Sequence, residues 1–232
     1  MVAIILHLYY QDLWQEFKQK LLPLLNENVH LYVTVNGTSE YLGDIFKHAK
    51  KAYILENRGA DFGPFVYVFN EIKDMGYKNV LKIHGKRSLH NQKLGDIWRK
   101  KLTEVLIETP EVFNSVIDSM NKDERVFMAG AYSCFYDTKK EPLDSAGRSS
   151  EEGSITKLNT YLRSATHGSF FAGSMFMASK KYLDLLFKDV DLTKLYGEFE
   201  VGYHRAGTMA HAMERVIGYS VEHYGGKFLI IN

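Results

Sequence analysis

Cysteine and proline are scarce in this chain. Its 232 residues include a single cysteine, Cys134, and four prolines. One cysteine excludes an intrachain disulfide framework and a four-cysteine zinc site, and such a low content is typical of a reducing compartment. We expect Cys134, which lies beside a predicted strand between Ser133 and Phe135, to be a packed thiol rather than a nucleophile.

The chain also lacks an excess of charge of one sign. Its 29 Lys and Arg residues balance 28 Asp and Glu residues, for a formal net charge of +1. This balance argues against a nucleic-acid-binding protein that works through a strongly basic surface. With 45% hydrophobic and 25% charged residues, the composition is that of an ordinary globular protein.

Long hydrophobic runs are missing too. No stretch reaches the roughly 18 apolar residues that a membrane span needs. Residues 2–10 are apolar but lack the basic region and cleavage site of a secretory signal. We therefore expect a cytoplasmic protein, with at most peripheral contact at the inner face of the cell membrane.

What is present is an alternation of strand and helix patterns. Runs of branched and aromatic residues predict strands, and apolar residues at helical spacing predict helices between them. In the first half, the strands are expected at residues 2–9, 30–35, 51–55 and 79–84. Helices are expected at 13–25 and 39–48, and a third is opened by the loop at residues 57–64 and runs through Met75. This order predicts an α/β fold with a mostly parallel central sheet flanked by helices.

The second half is less regular. Further strands are predicted at residues 126–131, 169–178 and 227–231, and helices at 98–107, 112–120, 180–187 and 208–216. The polar stretch at residues 138–153 predicts either a mobile loop over a site or a plain surface insertion. Since the chain contains no internal repeat and no convincing linker, we expect one domain over residues 1–232.

Polar side chains follow four of the predicted strands. In an open α/β sheet, ligands bind beyond the carboxyl ends of the strands. The four clusters are His7 to Tyr9, Asn36-Gly37, Asn57 to Asp61, and His84 to Ser88. We expect them to share one edge of the sheet and to form a site there.

The cluster from Asn57 to Asp61 combines several kinds of chemistry. Arg58 offers a fork of donors for an anion, and Asp61 can accept hydrogen bonds from ribose or sugar hydroxyls. The alternative is structural, with Asn57 in a turn and Asp61 capping the next helix.

The cluster from His84 to Ser88 places cations at the end of a strand. A diphosphate leaving group develops negative charge that a metal ion or fixed cations must neutralise. Lys86, Arg87 and His84 are candidates for that role. The alternatives are a solvated basic turn and, for His84, a core histidine.

A third group of candidates lies near the end of the chain. Glu198, Glu200 and a helix that carries His211, Glu214 and Arg215 bring carboxylates that could act as a general base. For Glu214 with Arg215 an ordinary ion pair on a helix surface is the alternative. The histidines show no paired ligand spacing and no Asp-x-Asp follows a strand, so no metal site is predicted.

Five segments resemble, in order, the rhamnan synthesis protein F family of glycosyltransferases. They are Glu56–Phe65, Lys82–Ser88, Gly95–Arg99, Phe171–Met177 and Ala210–Arg215. The segments span residues 56–215, and the N-terminal strands fit the same pattern.

The resemblance implies a single GT-A-like domain, with a Rossmann-like nucleotide-sugar half at about residues 1–95 and an acceptor half at about 96–232. It implies transfer of a sugar, typically L-rhamnose from dTDP-rhamnose, to a cell-surface polysaccharide or a lipid-linked oligosaccharide. The nucleotide pocket would be lined by His7, Tyr9, Asn36, Asn57, Arg58, Asp61 and His84. The acceptor side would be formed by Trp98, Gly173, Ser174, His211, Glu214 and Arg215.

The resemblance also suggests catalytic roles. Many GT-A enzymes hold a metal with Asp-x-Asp at the fourth strand, whereas here His84-Gly85-Lys86 stands in that place. This replacement suggests that Lys86, with Arg87, supports the diphosphate. It also suggests that a divalent metal is not required. The family pattern has Asp-Gly-Thr before its last helix, and this chain has Ala206 in place of the Asp. If that Asp is the family's base, we expect Glu200 to replace it, with Glu198 and His204 as further candidates.

We therefore predict an inverting glycosyltransferase that uses a nucleotide-diphospho-sugar. The alternative is a non-catalytic nucleotide-sugar or carbohydrate-binding module of a polysaccharide assembly machine, which Ala206 favours. A second alternative is a nucleotidyltransferase, which would be expected to need carboxylate-bound Mg²⁺.

Overall fold

A computed structural model describes residues 1–85, 87, 92–137 and 151–232, with the backbone alone for residues 92–94. Lys86 and residues 138–150 of the predicted polar loop therefore lie outside the described residues. Across the described part of the chain, no helix is both long enough and apolar enough to cross a membrane.

Strands and helices alternate along the chain. The strands are β1 (Val2–Leu8), β2 (Val29–Val35), β3 (Lys51–Ile54), β4 (Asn79–His84), β5 (Val126–Ala131), β6 (Phe135–Asp137), β7 (Ser169–Phe171), β8 (Phe176–Ser179) and β9 (Lys227–Ile231). The helices are α1 (Trp14–Leu21), α2 (Leu42–His48), α3 (Phe62–Ile72), α4 (Gln92–Ile107), α5 (Pro110–Lys122), α6 (Glu152–Leu158), α7 (Lys180–Leu186), α8 (Leu192–Glu198) and α9 (Met209–His223).

A seven-stranded sheet runs through the centre in the order β3-β2-β1-β4-β8-β5-β9. Neighbouring strands are parallel except for β8, which is antiparallel to both β4 and β5. β6 and β7 form a separate antiparallel pair. The predicted mixed α/β fold with a mostly parallel sheet is confirmed, and it is Rossmann-like.

Helices cover both faces of this sheet, which explains why its strands are apolar on both sides. In β1, Ala3 and Ile5 join a core that includes residues of α3, α7 and α9. The alternate residues of β1 join a second core with Trp14 and Phe17 of α1 and Phe113 of α5. The sheet is thus the middle layer of three.

The prediction of one strand at residues 169–178 is wrong. The chain turns between β7 and β8 at Gly173 and Ser174, which have φ values of 90° and 59°. This left-handed backbone ends β7 and starts the reversed strand β8. Apolar residues stand on both sides of Gly173-Ser174, so the pattern was interpreted as one strand, although this Gly-Ser pair is the sequence signal of the turn.

The helix boundaries also differ from the predictions. α4 begins at Gln92 rather than Trp98, and α9 continues to His223 rather than ending at Val216. α6 and α8 were not predicted, and α6 begins within the polar stretch that was predicted to be a loop. α8 forms because the side chain of Asp191 accepts hydrogen bonds from the first backbone N–H groups of the helix.

The order of the strands fixes where a ligand can bind. From β1 the chain moves outward to β2 and β3, and then crosses back to place β4 on the other side of β1. Such a reversal leaves a crevice beyond the carboxyl ends of β1 and β4.

One wall of this crevice depends on a close approach at Gly59. Its φ is +67°, and a Cβ atom there would lie 2.6 Å from Cγ of Phe199. Gly37 has a similar φ of +73° but open space around it. A residue with a Cβ would strain the backbone at both positions. Only at position 59 would that Cβ also clash with a neighbouring side chain.

We expect Gly59→Ala to destabilise the protein by about 2–4 kcal/mol, since the strained backbone and overpacking add. Gly37→Ala, with strain alone, should lose about 1 kcal/mol. Urea unfolding of both variants measures the difference. Equal losses would show that the contact with Phe199 does not hold this wall.

Candidate functional site

A cavity of about 500 Å³ opens at the predicted edge of the sheet, beyond β1 and β4. It is lined by residues that follow β1 and β4, by the start of α3, by the turn before β8, and by the loop before α9 together with α9 itself. The lining residues are His7, Tyr9, Tyr10, Asn57, Ala60, Asp61, Phe62, His84, Gly85, Arg87, Ser174, Gly202, Tyr203, His204, Ala210, His211 and Glu214.

The structure brings many of the sequence-predicted residues together in this cavity. Those that line it are His7, Tyr9, Asn57, Asp61, His84, Arg87, Ser174, His204, His211 and Glu214. The other predicted residues that the structure describes are outside this lining, and their contacts are given below. Their assignment to particular ligands stays a prediction.

The floor of the cavity contains a buried ion pair between Lys82 of β4 and Asp61 at the start of α3. Lys82 is only 1% exposed. Its ammonium also donates a 2.8 Å hydrogen bond to the carbonyl of Ser174 and lies 4.1 Å from the ring centre of Phe62. A buried charge is stable only when it is paired and hydrogen-bonded, and these contacts meet that need.

The ion pair keeps Asp61 ionised. Burial by itself raises the pKa of this carboxyl, but the charge of Lys82 and the nearby His84 outweigh it and hold the pKa well below its usual value. Lys82 and His84 both approach the same carboxylate oxygen, Oδ2, with His84 Nε2 at 4.0 Å. Asp61 thus presents a permanent acceptor to the cavity.

His7 is the neutral neighbour of this charged pair. It is buried, its Nδ1 is hydrogen-bonded to Oγ1 of Thr34 at 2.9 Å, and burial lowers its pKa to about 3. Protonated His7 would place a further cation beside Lys82, which is unfavourable in a low-dielectric interior.

The turn at Gly173 and Ser174 is held from two sides. His84 Nε2 donates to the carbonyl of Gly173 at 2.9 Å, and Lys82 donates to that of Ser174. From α9, Oε1 of Glu214 accepts hydrogen bonds from the Gly173 N–H at 2.7 Å and from the Ser174 hydroxyl at 3.1 Å. These bonds stabilise the left-handed conformation of Ser174, which a residue with a Cβ adopts at a cost of about 1–2 kcal/mol.

Two predicted nucleotide-binding residues, Arg58 and Asn36, lie outside the cavity lining and connect the segments next to it. Arg58 donates to the carbonyls of Gly197 and Phe199 and pairs with Glu56, so its guanidinium joins the end of α8 to the loop after β3. The side-chain amide of Asn36 donates to the carbonyl of Leu55 and links the ends of β2 and β3.

The two predicted carboxylate bases also have protein partners. Both oxygens of Glu200 accept from the backbone N–H of Met209, at 3.2 and 3.0 Å, so Glu200 caps α9. Glu198 forms a 2.7 Å ion pair with Lys157. Neither residue belongs to the cavity lining.

Arg215 and Trp98 lie beside the cavity rather than in its lining. Arg215 is buried, with Nη1 2.6 Å from Oε2 of Glu151 and 3.6 Å from Oε2 of Glu214. The indole of Trp98 lies against the turn, since a Cβ on Gly173 would come within 2.9 Å of its Nε1.

The mouth of the cavity is aromatic and basic. Arg87 pairs with Asp12 and lies over the ring of Tyr10 at 5.1 Å. Tyr203 is 78% exposed and Tyr9 is exposed as well, so their rings are available to a ligand.

The sequence analysis did not predict a role in the site for several lining or supporting residues, above all Lys82 and Tyr203. The signal for Lys82 was a lysine in the middle of an apolar strand, where a charge has to be paired if the strand is central. Tyr203 offered no comparable signal. In the described part of the chain, no group of three or more His, Cys, Asp or Glu residues is arranged to hold a metal ion.

Fold and site together define a Rossmann-like α/β protein with a ligand-sized crevice at its strand switch point. The family model of rhamnan synthesis protein F matches residues 1–225, and the chain belongs to that family. Membership indicates involvement in polysaccharide synthesis.

Two similar relatives carry the name uncharacterized protein WxcX, from strains B100 and ATCC 33913 of Xanthomonas campestris pv. campestris. Each is 28% identical over 230 residues, which cover 97% of this chain and 32% of the relative. The chain therefore spans about a third of the length of the curated relatives it matches.

The buried pair can be tested by a double-mutant cycle. Asp61→Asn leaves the buried charge of Lys82 uncompensated and should cost about 3–5 kcal/mol of unfolding free energy. Lys82→Met removes the buried charge and spares the packing, and the double variant should lose much less than the sum of the two single losses. Denaturant unfolding measures all three. Additive losses would contradict a direct coupling between Lys82 and Asp61.

Glu151, which pairs with Arg215, makes stability depend on pH. Burial raises its pKa to about 7 from an ordinary 4.5, although Arg215 opposes the shift. The folded chain therefore binds this proton more tightly than the unfolded chain. The resulting stabilisation is complete below about pH 4.5 and is lost as the pH rises through about 7.

Glu151→Gln should mimic the protonated form, so its melting temperature should exceed that of the wild type more at pH 8 than at pH 5. Each 1 kcal/mol corresponds to about 2–4 °C in a chain of this size. The neighbouring, exposed Glu152→Gln is the matched control and should show no such pH-dependent gain. A gain that is equal at both pH values would contradict the raised pKa.

Proposed function

We propose that this chain is a glycosyltransferase module that binds a nucleotide-diphospho-sugar in the cavity beyond β1 and β4. The position of the cavity carries the proposal. It lies at the strand switch point, where α/β proteins bind nucleotides, in a chain whose family acts in polysaccharide synthesis.

The sheet also supports a GT-A-like architecture. The order β3-β2-β1-β4 forms one half of a nucleotide-binding sheet, and the reversed strand β8 brings the turn at Ser174 to the same edge. In this proposal β1 to β4 hold the donor, and the elements from α4 onward form the acceptor side.

In this proposal, different residues of the cavity bind different groups of the donor. Asp61, ionised and with one oxygen held by Lys82, would accept hydrogen bonds from hydroxyls of the ribose or the sugar, beside the amide of Asn57. Arg87 at the mouth would exchange Asp12 for the diphosphate, with which a guanidinium forms charge-assisted bonds. Lys86 keeps the role that the sequence predicts for it, and fixed cations would then make a divalent metal unnecessary.

The reaction we propose is an inverting transfer of L-rhamnose from dTDP-rhamnose. The acceptor would be a polysaccharide or a lipid-linked oligosaccharide, and the exposed ring of Tyr203 offers it apolar surface. We place the reaction in the cytoplasm, with peripheral contact at the inner face of the membrane where a lipid-linked acceptor would be found.

A second candidate function is a non-catalytic nucleotide-sugar or carbohydrate-binding module of a larger assembly machine. One observation favours it, since Ala206 stands where the family pattern has Asp. Such a module would bind the donor without hydrolysing it, whereas a transferase should hydrolyse it slowly in the absence of an acceptor.

Arg87→Ala tests the donor site. Loss of a charge-assisted contact of about 1.4 kcal/mol or more should weaken dTDP binding at least tenfold. Arg125→Ala is the matched control, since Arg125 also pairs with an aspartate but precedes β5 at the opposite edge of the sheet. Titration calorimetry with dTDP measures both variants. Wild-type affinity of Arg87→Ala would place the diphosphate elsewhere.

A further inference from the structure

Glu214 has surroundings that single it out among the acidic and imidazole groups of the cavity. We propose that Glu214 is the general base that takes the proton from the attacking acceptor hydroxyl. This inference rests on the proposed glycosyl transfer and replaces Glu200 in that role.

The two oxygens of the Glu214 carboxylate have different environments. Oε1 is fixed by the Gly173 N–H and the Ser174 hydroxyl, at 2.7 and 3.1 Å. Oε2 lies 3.6 Å from Nη1 of Arg215, which is beyond hydrogen-bond distance. Glu214 lines the cavity and its side chain is 19% exposed. In the proposal, Oε2 is the oxygen that receives the proton of a hydroxyl bound in the cavity.

The support of Glu214 is itself held in place. The turn that binds Oε1 has its carbonyls bound by His84 and by the buried Lys82. Glu214 is therefore fixed relative to β4 as well as to its own helix. Catalytic groups need this kind of support, because a small displacement of the base from the reacting hydroxyl lowers the rate steeply.

Other candidates in the cavity fit the role less well. Asp61 is paired with Lys82, which keeps its pKa well below the usual value and makes it a weak base. His7 has a pKa of about 3 because it is buried. His84 already donates Nε2 to the carbonyl of Gly173.

Two further histidines lie on the side of α9. Burial lowers the pKa of His211, and its Nδ1 is hydrogen-bonded to Oγ1 of Thr208 at 2.7 Å. His204 donates Nε2 to the carbonyl of Val201 at 3.0 Å. Glu200 caps α9 from outside the cavity lining. Glu214 lines the cavity with one oxygen fixed by the turn, and its other oxygen lies 3.6 Å from the guanidinium of Arg215.

The proposed step balances as follows. Oε2 of Glu214 takes the acceptor proton while the acceptor oxygen forms a bond to the anomeric carbon of the donor. The bond from that carbon to the diphosphate oxygen breaks, and its electron pair leaves with the nucleoside diphosphate. The anomeric configuration inverts, and Glu214 later returns the proton to water.

A nucleophile that carries no proton does not need a general base. Comparing it with water therefore distinguishes a residue that acts as the base from one that only supports the structure. Azide can attack the anomeric carbon directly to give glycosyl azide and dTDP, whereas water must lose a proton. With dTDP-rhamnose as donor, Glu214→Gln should lower hydrolysis about 10²–10⁴-fold. Azidolysis and dTDP affinity should stay within about threefold of wild type, because Gln keeps the acceptor oxygen for Gly173 and Ser174. Glu222→Gln, near the end of the same helix, is the matched control.

Each other outcome overturns a defined part of the account. Unchanged hydrolysis in Glu214→Gln, or loss of azidolysis and dTDP binding together with hydrolysis, would remove Glu214 from the role of base. Selective loss in Glu200→Gln instead would return the role to Glu200. A wild-type chain that binds dTDP without turnover would be a binding module. One that neither binds dTDP nor turns over dTDP-rhamnose would refute the proposed function itself.

Discussion

The buried ion pair of Lys82 and Asp61 is the interaction on which the arrangement of the site depends. It joins the central strand β4 to the start of α3, and through the carbonyl of Ser174 it also fixes the turn before β8. Burying two charges costs several kcal/mol per ion unless each is well paired. The contacts of Lys82 with Asp61, the Ser174 carbonyl and the ring of Phe62 offset that cost, and they form the floor of the cavity.

Two carboxylates of the cavity, Asp61 and Glu214, have different surroundings and are proposed to have different roles. Asp61 is held ionised by a lysine at contact distance, which suits a permanent hydrogen-bond acceptor. Glu214 accepts hydrogen bonds from neutral donors on one oxygen, and Arg215 lies at a longer distance from the other, which is the arrangement on which its proposed role as a base rests. Two carboxylates with different surroundings and different roles are a recurrent arrangement in glycosyl chemistry.

Sequence reasoning recovered the features that depend on local pattern. The strands β1 to β4 and the polar residues after them, such as His7, Asp61 and His84, are readable because apolar runs end in polar residues. What it missed depends on contacts between distant segments. The guanidinium of Arg58 binds carbonyls at the end of α8, Glu200 caps α9, and the reversal at Gly173 and Ser174 rests on left-handed backbone that Glu214, Lys82 and His84 hold from distant segments. Lys82 was overlooked because its partner is 21 residues away in sequence.

The central claim is that the crevice between β1 and β4 is the nucleotide site, and amide chemical-shift mapping with dTDP tests it most directly. The account predicts the largest shifts at the amides of His7 to Tyr10, Asn57 to Asp61, and His84 with Gly85. Shifts confined to the opposite edge of the sheet, or none at millimolar dTDP, would contradict it.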